Sequence, residues 1–184
     1  MKTNFLLLAL AATMFASCGK TNDDLQPNNA SEQVMLKRAA NPLSGILLLH
    51  RNDALTMDCS CGPYLRGVFE GVGDMSHMGA STTRTQVCYA PIWSAGPGST
   101  ILGYHVANQC ASIIGANGDA ITLSASAPFD MTINFSTGLA TGTGTYTITG
   151  GTGRFSSATG SASVAITDSL NGTVMGPLTG TINY

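Results

Sequence analysis

Threonine alternates with glycine and apolar residues through residues 141–150, in the run Thr-Gly-Thr-Gly-Thr-Tyr-Thr-Ile-Thr-Gly. A strict period of two places all the threonines on one face, which is typical of a β-strand with one solvent-facing side. Threonine also favours the extended backbone because its Cβ is branched. Gly150, Gly151 and Gly153 come next and permit positive φ, so we expect a tight hairpin after this strand.

The same pattern of short strands and turn residues recurs along the chain. The Asn117-Gly118 pair is a strong turn signal, and no long amphipathic helical pattern is present. Closure of an antiparallel sheet into a barrel removes its exposed edges. We therefore predict an all-β domain over residues 43–184, a single antiparallel β-barrel of about eight strands. The predicted strands cover residues 45–50, 64–71, 79–89, 100–107, 111–115, 120–127, 141–149, 158–167 and 173–183.

Charge is sparse in this chain. Its 184 residues include 8 Lys and Arg against 10 Asp and Glu, a formal net charge of -2, and only 10% of the residues are charged. A chain of this length is expected to form one domain. We expect no nucleic-acid partner, because no basic patch is available to displace counterions from phosphate.

The amino terminus has the organisation of an export signal. Lys2 precedes an apolar run at residues 5–16, which is too short to cross roughly 30 Å of hydrocarbon. The small residues before Cys18 resemble the lipobox of bacterial lipoproteins, in which the cysteine is lipidated. We predict a signal peptide at 1–17 and a lipidated Cys18 with a flexible tether at 18–42; an ordinary signal peptide is the alternative. The expected location is the bacterial outer membrane, facing the periplasm or the surface, with the membrane bound through the lipid anchor.

Four cysteines remain for the exported domain: Cys59, Cys61, Cys88 and Cys110. An even number in an oxidising compartment predicts two disulfides. Cys59 and Cys61 are too close in sequence to bridge each other easily, so each is expected to pair with Cys88 or Cys110. Both of those connectivities stay open. A zinc site is disfavoured because the Cys-x-Cys spacing is not that of a zinc knuckle, and no metal is expected.

A family resemblance rests on residues 146–160, which read Tyr-Thr-Ile-Thr-Gly-Gly-Thr-Gly-Arg-Phe-Ser-Ser-Ala-Thr-Gly. This stretch resembles the glycine-rich hairpin of the allene oxide cyclase and dirigent-like barrels. The resemblance implies a calycin-like eight-stranded barrel, and related barrels form dimers or trimers. No catalytic residue of the plant cyclases can be placed on this sequence. We expect Phe155 to plug the barrel end and Arg154 to pair with a carboxylate or with loop carbonyls.

Residues able to carry chemistry are few. The best polar cluster by sequence is His77 with Glu70, Asp74 and Arg84, since an imidazole near a carboxylate can act as a general base. A loop histidine bonded to backbone is the favoured interpretation of His77. His105, beside Tyr104, is expected to be a satisfied buried side chain, with a position in the lumen as the alternative. The common hydrolase and metalloenzyme motifs are absent, and we expect no catalytic residue and no cofactor.

Three functions are compatible with this sequence. We favour non-catalytic binding of a small apolar molecule or an envelope partner, because a barrel of about eight strands has room for one small ligand. One alternative is an isomerase or cyclase that orients a flexible substrate in the lumen. The other is a structural envelope protein with a filled barrel. An open apolar lumen favours ligand binding, and converging polar groups such as His77 or His105 in that lumen favour an enzyme.

Overall fold

The computed structural model of the protein describes residues 40–57 and 59–184. The predicted signal peptide, Cys18 and the predicted tether as far as residue 39 lie outside these residues. Within these ranges the structure has no helical segment that could span a bilayer. The described chain contains nine strands and one short 3-10 helix: β1 (Asn41–Arg51), β2 (Leu65–Met75), β3 (Gly79–Trp93), β4 (Ile101–Gly115), β5 (Ala120–Ala125), β6 (Phe129–Asn134), β7 (Leu139–Gly151), the 3-10 helix (Gly153–Phe155), β8 (Thr159–Asp168) and β9 (Thr173–Asn183).

The strands close into an antiparallel barrel. β1 pairs with both β2 and β9, and neighbouring strands pair in chain order from β2 to β4 and from β7 to β9. β5 and β6 run in the same direction, one after the other, between β4 and β7. They are therefore the two halves of one interrupted stave, and the barrel has eight staves. The predicted all-β fold with a closed barrel of about eight strands is confirmed.

Apart from shifts of strand ends, the strands differ from the sequence-based prediction in two ways. β4 is one strand of 15 residues instead of two, because a register shift opposite Cys88 and Tyr89 accommodates the extra residue Ala107 without breaking the ladder. β6 was not predicted. It is only 6 residues long and follows Pro128, which has no N–H to donate to a ladder.

The alternation in β7 divides its side chains between the two faces of the barrel wall as predicted. Thr141, Thr143, Thr145, Thr147 and Thr149 are exposed, whereas the intervening inward positions are buried or partly buried. Small hydroxyl side chains face water and apolar ones face the lumen, which is why a period of two is so clear here.

The two ends of the barrel differ. At the end where β1 begins, Phe155 is fully buried, and Leu43, Met75, Ile148 and Ile182 around it are at most 2% exposed. We call this the plugged end. The connection from β7 to β8 is not the predicted tight hairpin; residues 152–158 include the 3-10 helix, and this longer loop lets Phe155 reach the core. We call the opposite end, where β1 ends at Arg51 and β8 at Asp168, the mouth.

The barrel is self-contained. Every described strand ladder, both disulfides and both apolar clusters lie between Asn41 and Tyr184, and Lys37–Tyr184 is a compact unit by itself. Because the sheet closes on its own strands, no edge within this segment needs pairing from outside it. The segment 40–184 is therefore a suitable unit for solution experiments.

Candidate functional site

A cavity of about 590 Å³ occupies the barrel above the plugged end and reaches the mouth. Every stave of the barrel contributes to its wall. The volume falls within the range of small-molecule sites in proteins. The side chains that line it are mostly apolar, and they include Leu47, Leu49, Phe69, Val87, Val106, Ile113, Leu123, Phe129, Met131, Val164, Ile166 and Leu178.

Below the mouth, four polar side chains interrupt this apolar wall: Thr83 and Thr85 of β3, Gln109 of β4 and Tyr146 of β7. We call them the inner polar group. The Thr85 hydroxyl donates to the backbone oxygen of Cys110 at 2.9 Å, and the Gln109 amide donates to the Thr85 oxygen at 2.8 Å. The Tyr146 hydroxyl donates to the Gln109 Oε1 atom at 2.7 Å. These bonds hold three of the four side chains in one chain of donors and acceptors.

The direction of this chain follows from its last acceptor. A backbone carbonyl can only accept a hydrogen bond, so the hydroxyl proton of Thr85 points to the Cys110 oxygen. The Thr85 oxygen therefore accepts a hydrogen bond from the Gln109 Nε2 atom. The Gln109 Oε1 atom in turn accepts a hydrogen bond from the Tyr146 hydroxyl. Tyr146 is 3% exposed, and burial raises the pKa of its phenol well above the ordinary value. Tyr146 is thus a neutral donor within the barrel wall.

Gly144 makes room for this arrangement. It is the inward position two residues before Tyr146 in β7, and a Cβ atom there would lie 2.7 Å from the Tyr146 hydroxyl and 2.8 Å from the Phe129 ring. Both are closer than van der Waals contact allows. A side chain at this position would displace the phenol, so the glycine belongs to the architecture of the cavity.

Thr83 differs from the other three members of the group. It is 2% exposed, and its hydroxyl has no hydrogen-bond partner among the described residues. It lies two residues before Thr85 on the same inward face of β3, one step nearer the plugged end. A buried hydroxyl without a partner costs roughly 1–3 kcal/mol, so it requires an explanation.

The mouth carries the charged groups of the cavity. Arg51 Nε donates to Asp53 Oδ2 at 2.7 Å, and the backbone N–H of Val68 donates to Asp53 Oδ1 at 3.2 Å. Burial alone would raise the pKa of Asp53, but these hydrogen bonds and the charge of Arg51 lower it below the usual value. The same hydrogen bond to Asp53 raises the pKa of Arg51 against the opposing effect of burial. The ion pair therefore stays charged near neutral pH.

Two aromatic rings also line the mouth. Tyr89 and Tyr104 meet edge to face with their centroids 5.6 Å apart. Burial, and secondarily the nearby Asp168 carboxylate, raises the pKa of Tyr104. Both phenols are thus amphipathic side chains between the apolar lumen and the solvent.

The predicted polar cluster around His77 does not assemble at the cavity. His77 lies in the turn between β2 and β3 at the plugged end, where its Nε2 atom contacts the Pro42 oxygen at 2.8 Å. Glu70 and Arg84 face outward from β2 and β3, with 3.8 Å between the nearest charged atoms. Asp74 is exposed on the outer wall. Strand alternation places Glu70, Asp74 and Arg84 on the outer wall, and the turn places His77 at the plugged end, so none of the four lines the cavity.

His105 and Tyr104 are consecutive in β4 and therefore face opposite sides of the barrel wall. Tyr104 lines the cavity, whereas His105 lies on the outer face and contacts Asp130 Oδ1 at 2.7 Å. The His105 side chain is 40% exposed. The expectation of a buried His105 was therefore wrong, and the alternative position in the lumen is also excluded.

The glycine-rich hairpin contributes to the plugged end and not to the cavity. Arg154 lies 3.5 Å from the Asp119 carboxylate and donates to the His77 backbone oxygen. Gly153 has φ +57°, and a Cβ there would collide with the Asp119 carboxylate. Gly150 also has positive φ, at +138°, and Gly151 packs against the backbone of Ala120. These residues hold the loop so that Phe155 fills the barrel end.

Two disulfides attach the loop between β1 and β2 to the outer wall. Cys59 pairs with Cys110 and Cys61 with Cys88, with Cα–Cα distances of 6.3 and 5.1 Å. This is one of the two connectivities left open by the sequence. Gln86 of β3 donates its amide N–H to the Cys59 backbone oxygen beneath the loop. The loop therefore covers an outward face of β3, where Gln86 and Cys88 are at most 1% exposed.

Sequence reasoning did not find the inner polar group or the Arg51–Asp53 pair. In β3, residues 81–86 read Ser-Thr-Thr-Arg-Thr-Gln, so both faces carry polar residues and the period of two gives no signal. Only closure of the barrel shows which hydroxyls face inward. Among the described residues, no group of three or more His, Cys, Asp or Glu side chains is placed to hold a metal ion.

Comparison with protein-family models, with curated proteins and with solved structures found no match to this chain. The fold and the geometry of the cavity therefore carry the functional argument by themselves. They define the class as a closed antiparallel β-barrel with an apolar lumen that opens at one end.

Proposed function

We propose that this protein is a membrane-anchored bacterial lipoprotein whose barrel binds one small, largely apolar molecule in its lumen without transforming it. The observation that carries the proposal is the cavity of about 590 Å³, lined mainly by aliphatic and aromatic side chains. Burial of an apolar ligand against this surface stabilises the complex by about 25 cal/mol per Å² of apolar area removed from water. A lipid anchor at Cys18 would keep the barrel at the membrane, where apolar molecules are concentrated.

The position of the ionisable groups favours binding over catalysis. The charged side chains that line the cavity are Arg51, Asp53 and Asp168 at the mouth, among the described residues. Deeper in the lumen, Tyr146 is kept neutral, and its hydroxyl donates a hydrogen bond to the Gln109 oxygen. General acid–base chemistry needs a group whose pKa lies near the working pH and within reach of the substrate. The inner polar group offers hydrogen bonds but no such group.

We also infer a distant relationship to the allene oxide cyclase and dirigent-like barrels. The supporting observations are the hairpin sequence at residues 146–160 and the closed eight-stave topology. The cyclase activity does not follow from this relationship, because no catalytic residue of those enzymes has a counterpart that can be assigned here.

The test uses the segment 40–184, exported to a bacterial periplasm so that its disulfides form, and N-phenyl-1-naphthylamine, an uncharged fluorescent probe of apolar sites. We expect saturable binding of one probe per barrel. Ala111→Phe, on the inward face of β4, should obstruct the lumen and strongly weaken this binding. Ala165→Phe makes the same change at an exposed position of β8 and should leave binding intact.

Two outcomes would overturn the proposal. The first is that the folded wild-type barrel gives no saturable fluorescence change with the probe. The second is that both substitutions affect binding equally, because the site would then not be the lumen. Circular dichroism on each variant shows that the barrel is folded in every comparison.

A further inference from the structure

Within the lumen, the Thr83 hydroxyl of the inner polar group is a buried donor without a hydrogen-bond partner among the described residues. The Gln109 amide, by contrast, is engaged at both ends, since its N–H bonds to Thr85 and its oxygen accepts from Tyr146. Buried polar groups without a partner are rare in native proteins, so the Thr83 hydroxyl requires a partner.

Packing does not explain the threonine at position 83. Valine has nearly the same shape and would fill the same space beside Ile113 and Gly71 without a buried hydroxyl. Rotation about the Cα–Cβ bond of threonine exchanges its hydroxyl with its methyl group, so the hydroxyl of this side chain can turn towards a molecule in the cavity. The Thr83 side chain already lines that cavity while its own hydroxyl is unpartnered.

Charge restricts the kind of atom that can meet the Thr83 hydroxyl. Of the described residues, the charged ones that line the cavity are all at its mouth, and Arg51 there is already paired with Asp53 at 2.7 Å. A carboxylate or phosphate beside Thr83 would lose its hydration without a cation to replace it. The oxygen that binds at this depth is therefore uncharged.

We propose, as an extension of the proposed ligand-binding function, that the lumen selects an apolar molecule carrying one uncharged oxygen. A ketone, ester or alcohol oxygen of this molecule accepts a hydrogen bond from the Thr83 hydroxyl. The hydrocarbon part of the molecule lies against the aliphatic and aromatic wall between this subsite and the mouth. The polar atom of the ligand thus lies deepest in the lumen, and its apolar end lies towards the mouth.

The experiment measures displacement of N-phenyl-1-naphthylamine from the segment 40–184 by nonane, 2-nonanone and nonanoate in sealed cuvettes. The ratio of the dissociation constants of nonane and 2-nonanone is compared between variants. The free energy of removing each ligand from water is the same for every variant, so a change in the ratio reports the protein–ligand contact. Thr83→Val should weaken 2-nonanone by about tenfold and leave nonane within about twofold. Thr82→Val, at the next position in β3 but exposed, should change neither constant. Thr83→Ser restores a hydroxyl and should recover the wild-type ratio.

Several results would overturn this inference while leaving the proposed function standing. One is an unchanged ratio in Thr83→Val, which would mean that the Thr83 hydroxyl takes no part in recognition. Another is nonanoate as the tightest ligand, which would place the polar group of the ligand at Arg51. Absence of saturable probe binding to the folded wild-type barrel would instead reject the proposed function itself.

Discussion

The plugged end and the mouth are built from the same strands but are opposite in character. At the plugged end, the turns at residues 76–78 and 116–119 are short, and the side chains around Phe155 exclude water. At the mouth, the loops at residues 52–64 and 94–100 are longer, and Arg51, Asp53 and Leu170 are exposed to solvent. The difference shows that fold stability and the open cavity depend on opposite ends of the same barrel. Dense packing at one end stabilises the fold, and the other end is free to keep a cavity open.

The largest effect is expected from Phe155→Ala at the plugged end. Removing a fully buried ring should lower the free energy of unfolding by about 3–5 kcal/mol, because a void remains in a rigid core. Urea denaturation of the segment 40–184 measures this loss. Below the unfolding transition, probe binding in the lumen should stay within about twofold of wild type. A loss of binding in the folded variant would show that the two ends are not independent.

The disulfide between Cys61 and Cys88 should have the next largest effect. Replacing both cysteines with serine should lower the free energy of unfolding by about 2–4 kcal/mol, since the cross-link restricts the unfolded chain across a sequence separation of 27 residues. The measurement is urea denaturation under non-reducing conditions. Wild-type protein assayed with a reducing agent, which opens both disulfides, should lose at least as much. Unchanged stability in the double variant would contradict the role assigned to this bond.

A smaller effect of opposite sign is expected at the mouth. Leu170 has φ +59° although it is not glycine, and it lines the cavity entrance. Left-handed backbone costs about 1–2 kcal/mol for a residue with a Cβ. Leu170→Gly should therefore raise stability by about 0.5–1 kcal/mol after the extra freedom of glycine in the unfolded chain is subtracted. Thermal unfolding measures this gain. A decrease in melting temperature would show that the Leu170 side chain contributes more than its backbone strain removes.

The smallest effect concerns the pH dependence of the mouth. The pKa of Asp53 is lower in the folded barrel than its ordinary value, so its ion pair stabilises the fold above about pH 4, and this contribution disappears as the pH falls through the lowered pKa. Because the side chain of Asp53 is 50% exposed, the contribution should be well below 1 kcal/mol. In Asp53→Asn, the free energy of unfolding should fall less between neutral and acid pH than in the wild type, by that amount. Identical curves for wild type and variant would mean that the pair adds nothing measurable.

The sequence predicted the architecture well because its signals are local. A period of two, turn residues such as Asn117-Gly118 and the absence of a long helical pattern lead to the barrel without knowledge of which strands meet. The errors have local causes as well. The bulge at Ala107 interrupts the alternation, so the prediction split β4 into two strands. The short strand β6 after Pro128 was not predicted.

The candidate site was far less predictable. His77, Glu70, Asp74 and Arg84 are close in sequence, but strand alternation and the turn place them on the outer wall or at the plugged end. Thr85, Gln109 and Tyr146, by contrast, come from three strands that are distant along the chain. Their meeting depends on the register between β3 and β4 and on closure across the lumen.

The sequence by itself therefore determined the kind of fold, the number of staves and the residues available for disulfides. Each of these depends on interactions between residues that are near in the chain, or on the count of a residue type. The tertiary structure alone decided which cysteines pair, which end Phe155 fills and which hydroxyls face the cavity. The physical reason is that side chains in a strand alternate between the two faces of the sheet, and only closure of the sheet makes one face the interior.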